Sequence, residues 1–224
     1  MSGALAVFDL DGTITRRDTL GPFLWGYLRR HAPRLPRVLL ALPAPFLFLI
    51  HHDRGALKGA LIRAALGGLS RQTLAHWADE FVEQLIPRGV YAEALAAIAQ
   101  HRANGDRLLL LSASTDLYVP RIAHRLGFDE VICSQVRWRE DGRLDGRLAS
   151  LNCRGQEKRR CLAEVLAREA PDKVYAYGNS GSDLPHMLLA HEAFLVNAPA
   201  RLTRARGAQL RALRWQGRAV TSRS

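Results

Sequence analysis

Phe8-Asp9-Leu10-Asp11-Gly12-Thr13-Ile14-Thr15, preceded by the apolar run Ala4 to Val7, is the stretch that decides the fold. A short unbroken apolar run that stops at a polar, glycine-containing turn reads as a buried strand. The same grammar occurs twice more. Arg107 to Leu111 leads into Ser112-Ala113-Ser114-Thr115, and Lys173 to Tyr177 leads into Gly178-Asn179-Ser180-Gly181-Ser182-Asp183. Helical spacing of apolar residues marks Val90 to Ala103, Tyr118 to Leu126, Glu157 to Glu169 and Leu184 to His191. Strands alternating with helices predict an α/β fold on a parallel sheet. Ligands of such sheets sit beyond the carboxyl ends of the strands, where all three polar clusters fall, so one site can contain them all.

The stretch Arg16 to Pro87 breaks this rhythm, since its apolar residues recur at helical spacing with no clear strand between them; it reads as a helical insertion after the first strand. A small hairpin is expected around Val136-Arg137-Trp138 and Arg147-Leu148, turned at Asp141-Gly142. Within the insertion Val38 to Ile50 carries no charge. At ~1.5 Å per residue it reaches only ~20 Å against a hydrocarbon core of ~30 Å, and Pro43 and Pro45 interrupt it, so it does not read as a membrane span. Packing inside a helical cap is the first reading. The second is a membrane-surface anchor, suggested by the aromatic and basic fringe Trp25, Tyr27, Arg29, Arg30, Arg34 and Arg37.

The chain has 224 residues, room for one domain of ~150 with an insertion, and its 48% hydrophobic and 24% charged residues exclude a disordered or collagen-like protein. A formal charge of +11 would point to nucleic acid or an anionic membrane if it were concentrated. From Arg201 to Ser224 the charged residues are all arginine, but no reading motif accompanies them, so specific nucleic-acid binding is not expected. Only Lys58, Lys158 and Lys173 among the 32 basic residues are lysines, so a site that uses a compact ammonium stands out. Cys133, Cys153 and Cys161 form no paired motif and indicate neither a disulfide framework nor a zinc site. Met1 to Ala6 carries no secretory pattern, so a cytoplasmic location is expected, with peripheral contact at the inner membrane face as the variant that goes with a lipid anchor.

Asp9 and Asp11 at a strand end present two carboxylates near one point, and Gly12 lets the chain turn tightly. An ordinary Asp-Gly turn is the bland alternative; an EF-hand fails because Thr13 and Ile14 stand where a ligand and a glycine are needed. Ser112 and Ala113 close the second strand, where a hydroxyl and backbone amides can face an anion. Lys158 opens a helix, where its charge adds to the positive end of the dipole, although a solvated lysine would be the default for it alone. Asn179 and Asp183 offer the hard oxygen donors that Mg²⁺ prefers, or simply cap a loop.

The four stations FDLDGTIT, LLLSAS, Lys158 and YGNSGSDLP, in this order over nearly the whole chain, resemble the haloacid dehalogenase-like hydrolase superfamily, in particular subfamily IB and its phosphoserine-phosphatase-like branch. The resemblance implies a Rossmann-like core (1–15 and 88–224) with an inserted helical cap of C1 type (16–87). It implies Mg²⁺-dependent hydrolysis of phosphomonoesters, with Asp9 as the nucleophile that becomes an aspartyl-phosphate and Asp11 as the acid and base. Mg²⁺ would be held by Asp9, the Asp11 carbonyl and Asn179 with Asp183, while Ser112, Ala113 and Lys158 would hold the phosphoryl oxygens. One position departs from phosphoserine phosphatases, which usually carry Asp where Asn179 stands. A catalytically silent relative that binds anions or nucleic acid is the rival reading, disfavoured by the paired carboxylates. Asp18, Arg54, Lys58 and Arg63 are candidate substrate contacts from the cap; Asp18 resembles the acidic residue that meets the amine of phosphoserine. A small phosphorylated metabolite is therefore the expected substrate. The alternative is a lipid phosphate, because the branch acting on phosphatidylglycerophosphate is similar in its apolar cap segment and in the station Gly155-Gln156-Glu157-Lys158.

Overall fold

A computed structural model of the chain describes residues 3–41, 53–204 and 210–217. Its centre is a six-stranded sheet in which every pairing is parallel, with strand order β3-β2-β1-β6-β7-β8. The strands are β1 (Leu5–Phe8), β2 (Arg107–Thr115), β3 (Glu130–Ser134), β6 (Val174–Gly178), β7 (Glu192–Val196) and β8 (Leu210–Leu213). A separate antiparallel pair, β4 (Val136–Trp138) and β5 (Leu144–Leu148), forms the expected hairpin, with Gly142 at its turn in the left-handed region that glycine adopts freely.

β1 and the Leu108–Leu111 run of β2 are apolar at every position because both faces of the sheet are covered there. Ala6, Phe8, Leu108, Leu110 and Tyr177 face one buried cluster, and Leu5, Val7, Leu109, Leu111 and Ala176 face the other, as a period of two requires. The first cluster continues without a break into the helices that follow β1. There Phe23 of the helix Leu20–Arg30 meets Trp77 and Phe81 of the helix Arg71–Gly89, and Tyr118 beyond β2, at centroid distances of 4.6 to 5.8 Å. A helix at Arg54–Leu66, capped by the Asp53 carboxylate on the amides of Gly55 and Ala56, lies against the hairpin. Gly59 and Gly146 permit that approach: a Cβ at Gly146, whose φ is +96°, would stand 2.5 Å from Arg63 Cα.

Register places the chemistry. Phe8 pairs with Leu110 on one side and Tyr177 on the other, so the residues after β1 emerge beside the ends of β2 and β6. Two boundaries differ from expectation. β2 runs on to Thr115, with Ser112 paired to Cys133, because β3 extends its ladder. The helix at Leu184 ends at Met187, and His191 already returns to the sheet edge by donating its N–H to Val174 O. No helix among the described residues is long and apolar enough to cross a membrane; most of Val38 to Ile50, and half of the arginine-rich tail, lie outside those residues.

Candidate active site

Asp9 stands one residue past β1 and is buried, with its amide donating to Tyr177 O of the neighbouring strand. Its carboxylate is held on both oxygens. Lys158 Nζ donates to Oδ1 at 2.6 Å, and the Thr13 hydroxyl donates to Oδ2 at 2.9 Å. Lys158 lies in the first turn of the helix Gln156–Glu169, only 2% exposed, and donates at 2.8 Å also to Asp183 Oδ1. Asp183 Oδ2 in turn accepts from the Asn179 and Ser180 amides and from the Ser180 hydroxyl, which folds the loop after β6 around it. Gly12 and Gly178 allow the three turns to converge. A Cβ on Gly12, where φ is +80°, would sit 1.9 Å from Asn179 Nδ2, and one on Gly178 would stand 2.6 Å from Asp183 Cβ.

Asp11 is oriented differently, by three short hydrogen bonds. Thr19 donates its amide (2.8 Å) and its hydroxyl (2.6 Å) to Oδ1, and Ser114 donates its hydroxyl (2.6 Å) to Oδ2. The buried Tyr118 hydroxyl lies 3.0 Å from both the Thr19 and Ser114 oxygens, tying the donors together.

These groups open into one cavity of about 350 Å³, lined among others by Asp9, Asp11, Asp18, Ala113, Lys158, Asn179 and Asp183. With Arg54 and Lys58, nine of the eleven residues expected from the sequence therefore share it; Ser112 and Arg63 do not. Ser112, within the extended strand, is fully buried and accepts from the Ser114 amide, so that Ser114 and Ala113 face the cavity in its place. Arg63 is anchored instead to Asp145, through Nε to its carbonyl at 3.1 Å and through its guanidinium to Oδ1 at 2.5 Å. Helical geometry explains it. Arg54, Leu57, Lys58 and Leu61 line the cavity at positions i, i+3, i+4 and i+7, whereas Arg63, five residues past Lys58, points roughly 140° away. Thr13, Thr19, Ser114, Tyr118, Asn152 and Arg154 also belong to the site or its support; Thr13 and Ser114 lie inside the stations FDLDGTIT and LLLSAS without being singled out there, and no motif distinguishes the other four from ordinary turn and core residues. Asp18 lines the mouth, with Oδ1 accepting from the Leu20 and Gly21 amides at the start of a helix.

The charges follow from this packing. Burial, with Asp183 adding repulsion, pushes the Asp9 carboxyl up to about 7 although Lys158 opposes it. Asp11 is also raised by burial, against the hydrogen bonds from Ser114 and Thr19. For Asp183 burial works upward too, but Lys158 outweighs it and holds the carboxyl well below its usual range. Lys158 shows the same contest in reverse: burial disfavours its charge, and Asp9 and Asp183 more than restore it. Two buried carboxylates thus share one ammonium, which leaves the floor of the cavity with an excess of negative charge.

Comparison with known proteins bears on the family and the fold. The family model described as haloacid dehalogenase-like hydrolase matches residues 6–188. Protein CicA of Caulobacter vibrioides is 35% identical over 192 residues, covering 84% of this chain and 83% of its own. The phosphoserine phosphatase SerB1 of Mycobacterium tuberculosis is 27% identical over 220 residues, 94% of this chain and 71% of its own. A crystal structure of a protein of unknown function from Bordetella pertussis superposes with a TM-score of 0.78 at 22% identity, over 94% of this chain and 99% of that one.

Proposed function

The chain belongs to the haloacid dehalogenase-like hydrolases, and on that premise we propose that it is a Mg²⁺-dependent phosphomonoesterase that works through an aspartyl-phosphate on Asp9, with a small phosphorylated metabolite such as phosphoserine as substrate. The observation that carries this reading is the convergence of Asp9 and Asp11 after β1, Asn179 after β6 and Lys158 at the start of a helix on one cavity. In the first half-reaction an Asp9 oxygen forms a bond to phosphorus as the ester P–O bond breaks, and Asp11 delivers a proton to the departing oxygen. Burial that favours the protonated form of Asp11 suits it to that role. In the second, Asp11 takes the proton from a water that attacks the phosphorus and releases Asp9. Thr13 and Lys158 orient the Asp9 carboxylate throughout, and the Lys158 ammonium lies where the charge on the phosphoryl oxygens develops.

The donor set suits a divalent cation. Among the described residues no three His, Cys, Asp or Glu side chains form a metal cluster, but Asp9, the Asp11 carbonyl and the Asn179 side-chain oxygen are hard donors at the edge of a cavity with surplus negative charge. Asp183 has both oxygens engaged by Lys158 and by the loop, so its part is to fix that loop rather than to ligate. Mg²⁺ bound there would draw a phosphoryl oxygen in and offset its repulsion from Asp9.

A screen of phosphate release from phosphoserine, other small phosphomonoesters and lipid phosphates, with and without Mg²⁺, tests the proposal. Mg²⁺-dependent release is expected, and Asn179→Ala should raise the Mg²⁺ concentration for half-maximal rate, while Asn179→Asp lowers it. No release from any of the substrates by folded, Mg²⁺-supplied protein would overturn it.

Stability gives a second check, made in EDTA. A carboxyl raised from its ordinary value to about 7 binds a proton in the folded state that the unfolded chain has already lost, so folding weakens as pH rises between about 4 and about 7 and levels off above. Asp183, held low, runs the other way, and its contribution is lost only as pH falls below the ordinary carboxylate range. Across pH 5 to 7.5 the melting temperature of the wild type should therefore fall relative to that of Asp9→Asn. A constant difference between the two would show that Asp9 is not raised.

A further inference from the structure

Tyr118 is the bulkiest of the fully buried side chains among the described residues. Its ring packs against Phe23 and Phe81, on the helices Leu20–Arg30 and Arg71–Gly89, at centroid distances of 4.6 and 5.5 Å. A phenylalanine would fill that space equally well, so packing accounts for the ring and leaves the hydroxyl to be explained. The hydroxyl lies 3.0 Å from Ser114 Oγ and 3.0 Å from Thr19 Oγ1. Each of those oxygens donates at 2.6 Å to a different oxygen of Asp11. Asp11, Thr19, Tyr118 and Ser114 thus form a closed ring of four hydrogen-bonding contacts.

Two features set this ring apart from routine pairing of hydroxyls. Thr19 stands just before the helix Leu20–Arg30, where a threonine hydroxyl ordinarily accepts from the first amides, yet it makes no such bond; Asp18 takes the amides of Leu20 and Gly21 instead, and the Thr19 hydroxyl is left to the ring. Thr19, Ser114 and Tyr118 are moreover all buried, so their hydroxyls have one another and Asp11 as partners rather than bulk water. The count of protons also suits the role proposed for Asp11. Three hydroxyl protons serve four contacts when Asp11 is ionised, so Tyr118 can donate to only one of its two neighbours. The fourth proton is the one that Asp11 delivers to the departing oxygen. While Asp11 holds it, the four groups can donate head to tail around the ring, each bond strengthening the next.

We propose that Tyr118 is a positioning residue for the reaction: through Thr19 and Ser114 its hydroxyl holds the Asp11 carboxyl in the orientation from which it serves the departing oxygen. This rests on the phosphomonoesterase reading above and adds a residue to it. Neither Tyr118 nor Thr19 lines the cavity, so their influence reaches the substrate only through the groups that do, Asp11 and Ser114.

The test compares kcat/KM, which reports the steps up to departure of the leaving group, for two esters in the wild type and in Tyr118→Phe. One is phosphoserine, or whichever alkyl phosphate the wild type turns over fastest, whose departing oxygen needs a proton. The other is p-nitrophenyl phosphate, whose departing oxygen does not. Tyr118→Phe should lower kcat/KM for the alkyl ester about tenfold and leave p-nitrophenyl phosphate within about twofold, the scale of one lost hydrogen bond felt only where the acid is needed. An equal loss on both esters, or none on either, would make the hydroxyl a packing detail and overturn the inference. Thr19→Val opens the ring at another link and covers the case of a folding defect in Tyr118→Phe. It should show the same selective loss on the alkyl ester, and an equal loss on both would count against the ring. If folded, Mg²⁺-supplied wild type hydrolyses neither ester, the phosphatase reading fails, and the ring is judged by the Thr19 amide, which donates to Asp11 Oδ1 at 2.8 Å. Faster hydrogen exchange of that amide in Tyr118→Phe would still support the hold on Asp11, and unchanged exchange would refute it.

Discussion

Asp9→Asn should lower phosphomonoester turnover by ~10³-fold or more while the protein remains folded, since removal of a nucleophile closes its pathway and leaves only positioning and charge stabilisation behind. The substitution is close to isosteric. The amide keeps an oxygen to accept from Lys158 Nζ, now 2.6 Å from Asp9 Oδ1, and the Thr13 hydroxyl can turn to suit the new group. What disappears is the anionic oxygen proposed to attack phosphorus. Folding should not suffer, because Asp9 carries a buried charge that its surroundings disfavour, and a neutral amide removes that burden near neutral pH. Rapid-quench labelling gives an independent readout: acid-stable phosphate should accumulate on the wild-type chain during turnover and be absent from Asp9→Asn. Wild-type turnover by the folded variant would refute the assignment of Asp9, whatever the substrate.

The parts of this molecule legible in the sequence are those where a single local pattern was enough. β1 and β6 are short apolar runs buried on both faces, and a run of that kind followed by a polar glycine turn has few other readings. The strands away from the centre were harder. β7 and β8 mix Glu192, Arg211 and small residues with their apolar positions, so neither alternation nor a continuous run marks them, and β3 is only half buried over its first three residues. Asp9, Asp11, Asn179 and Asp183 stood out because their motifs stand at strand ends, Lys158 because a rare lysine opens a helix, and all five line the cavity. Arg63 was drawn in by charge alone. Its helical phase relative to Lys58 could have separated the two, since Arg54, Leu57, Lys58 and Leu61 form one stripe that Arg63 leaves. Ser112 shows a different limit: whether a serine at the end of an apolar run lies inside the ladder or beyond it depends on how far the neighbouring strand extends, which no local pattern records. The donors that hold Asp11 come from Thr19 and Ser114, 8 and 103 residues away in sequence, and only the fold brings them together.

Lys158→Met should be the most damaging single change for folding and activity together. The side chain is 2% exposed and neutralises Asp9 and Asp183 at 2.6 and 2.8 Å, so its loss leaves two carboxylates buried side by side with no counter-charge. Breaking a buried pair by removing one partner typically costs ~3–5 kcal/mol, because the remaining charge stays desolvated and unpaired. Denaturant titration at pH 7.5 in EDTA should show a loss of that order. The loss should shrink toward pH 5, since without Lys158 the Asp9 carboxyl is raised further and Asp183 is no longer held low, so they take up protons, which relieves their repulsion. Adding Asp183→Asn to Lys158→Met should recover part of the stability by removing one of the stranded charges, yet it should recover no turnover, because the ammonium proposed to face the phosphoryl group is still missing. That split between rescued folding and unrescued chemistry distinguishes a lysine that serves both from one that only balances charge in the core. If the double variant regained activity along with stability, Lys158 would be a structural counter-ion and the phosphate would have to be held by other groups in the cavity.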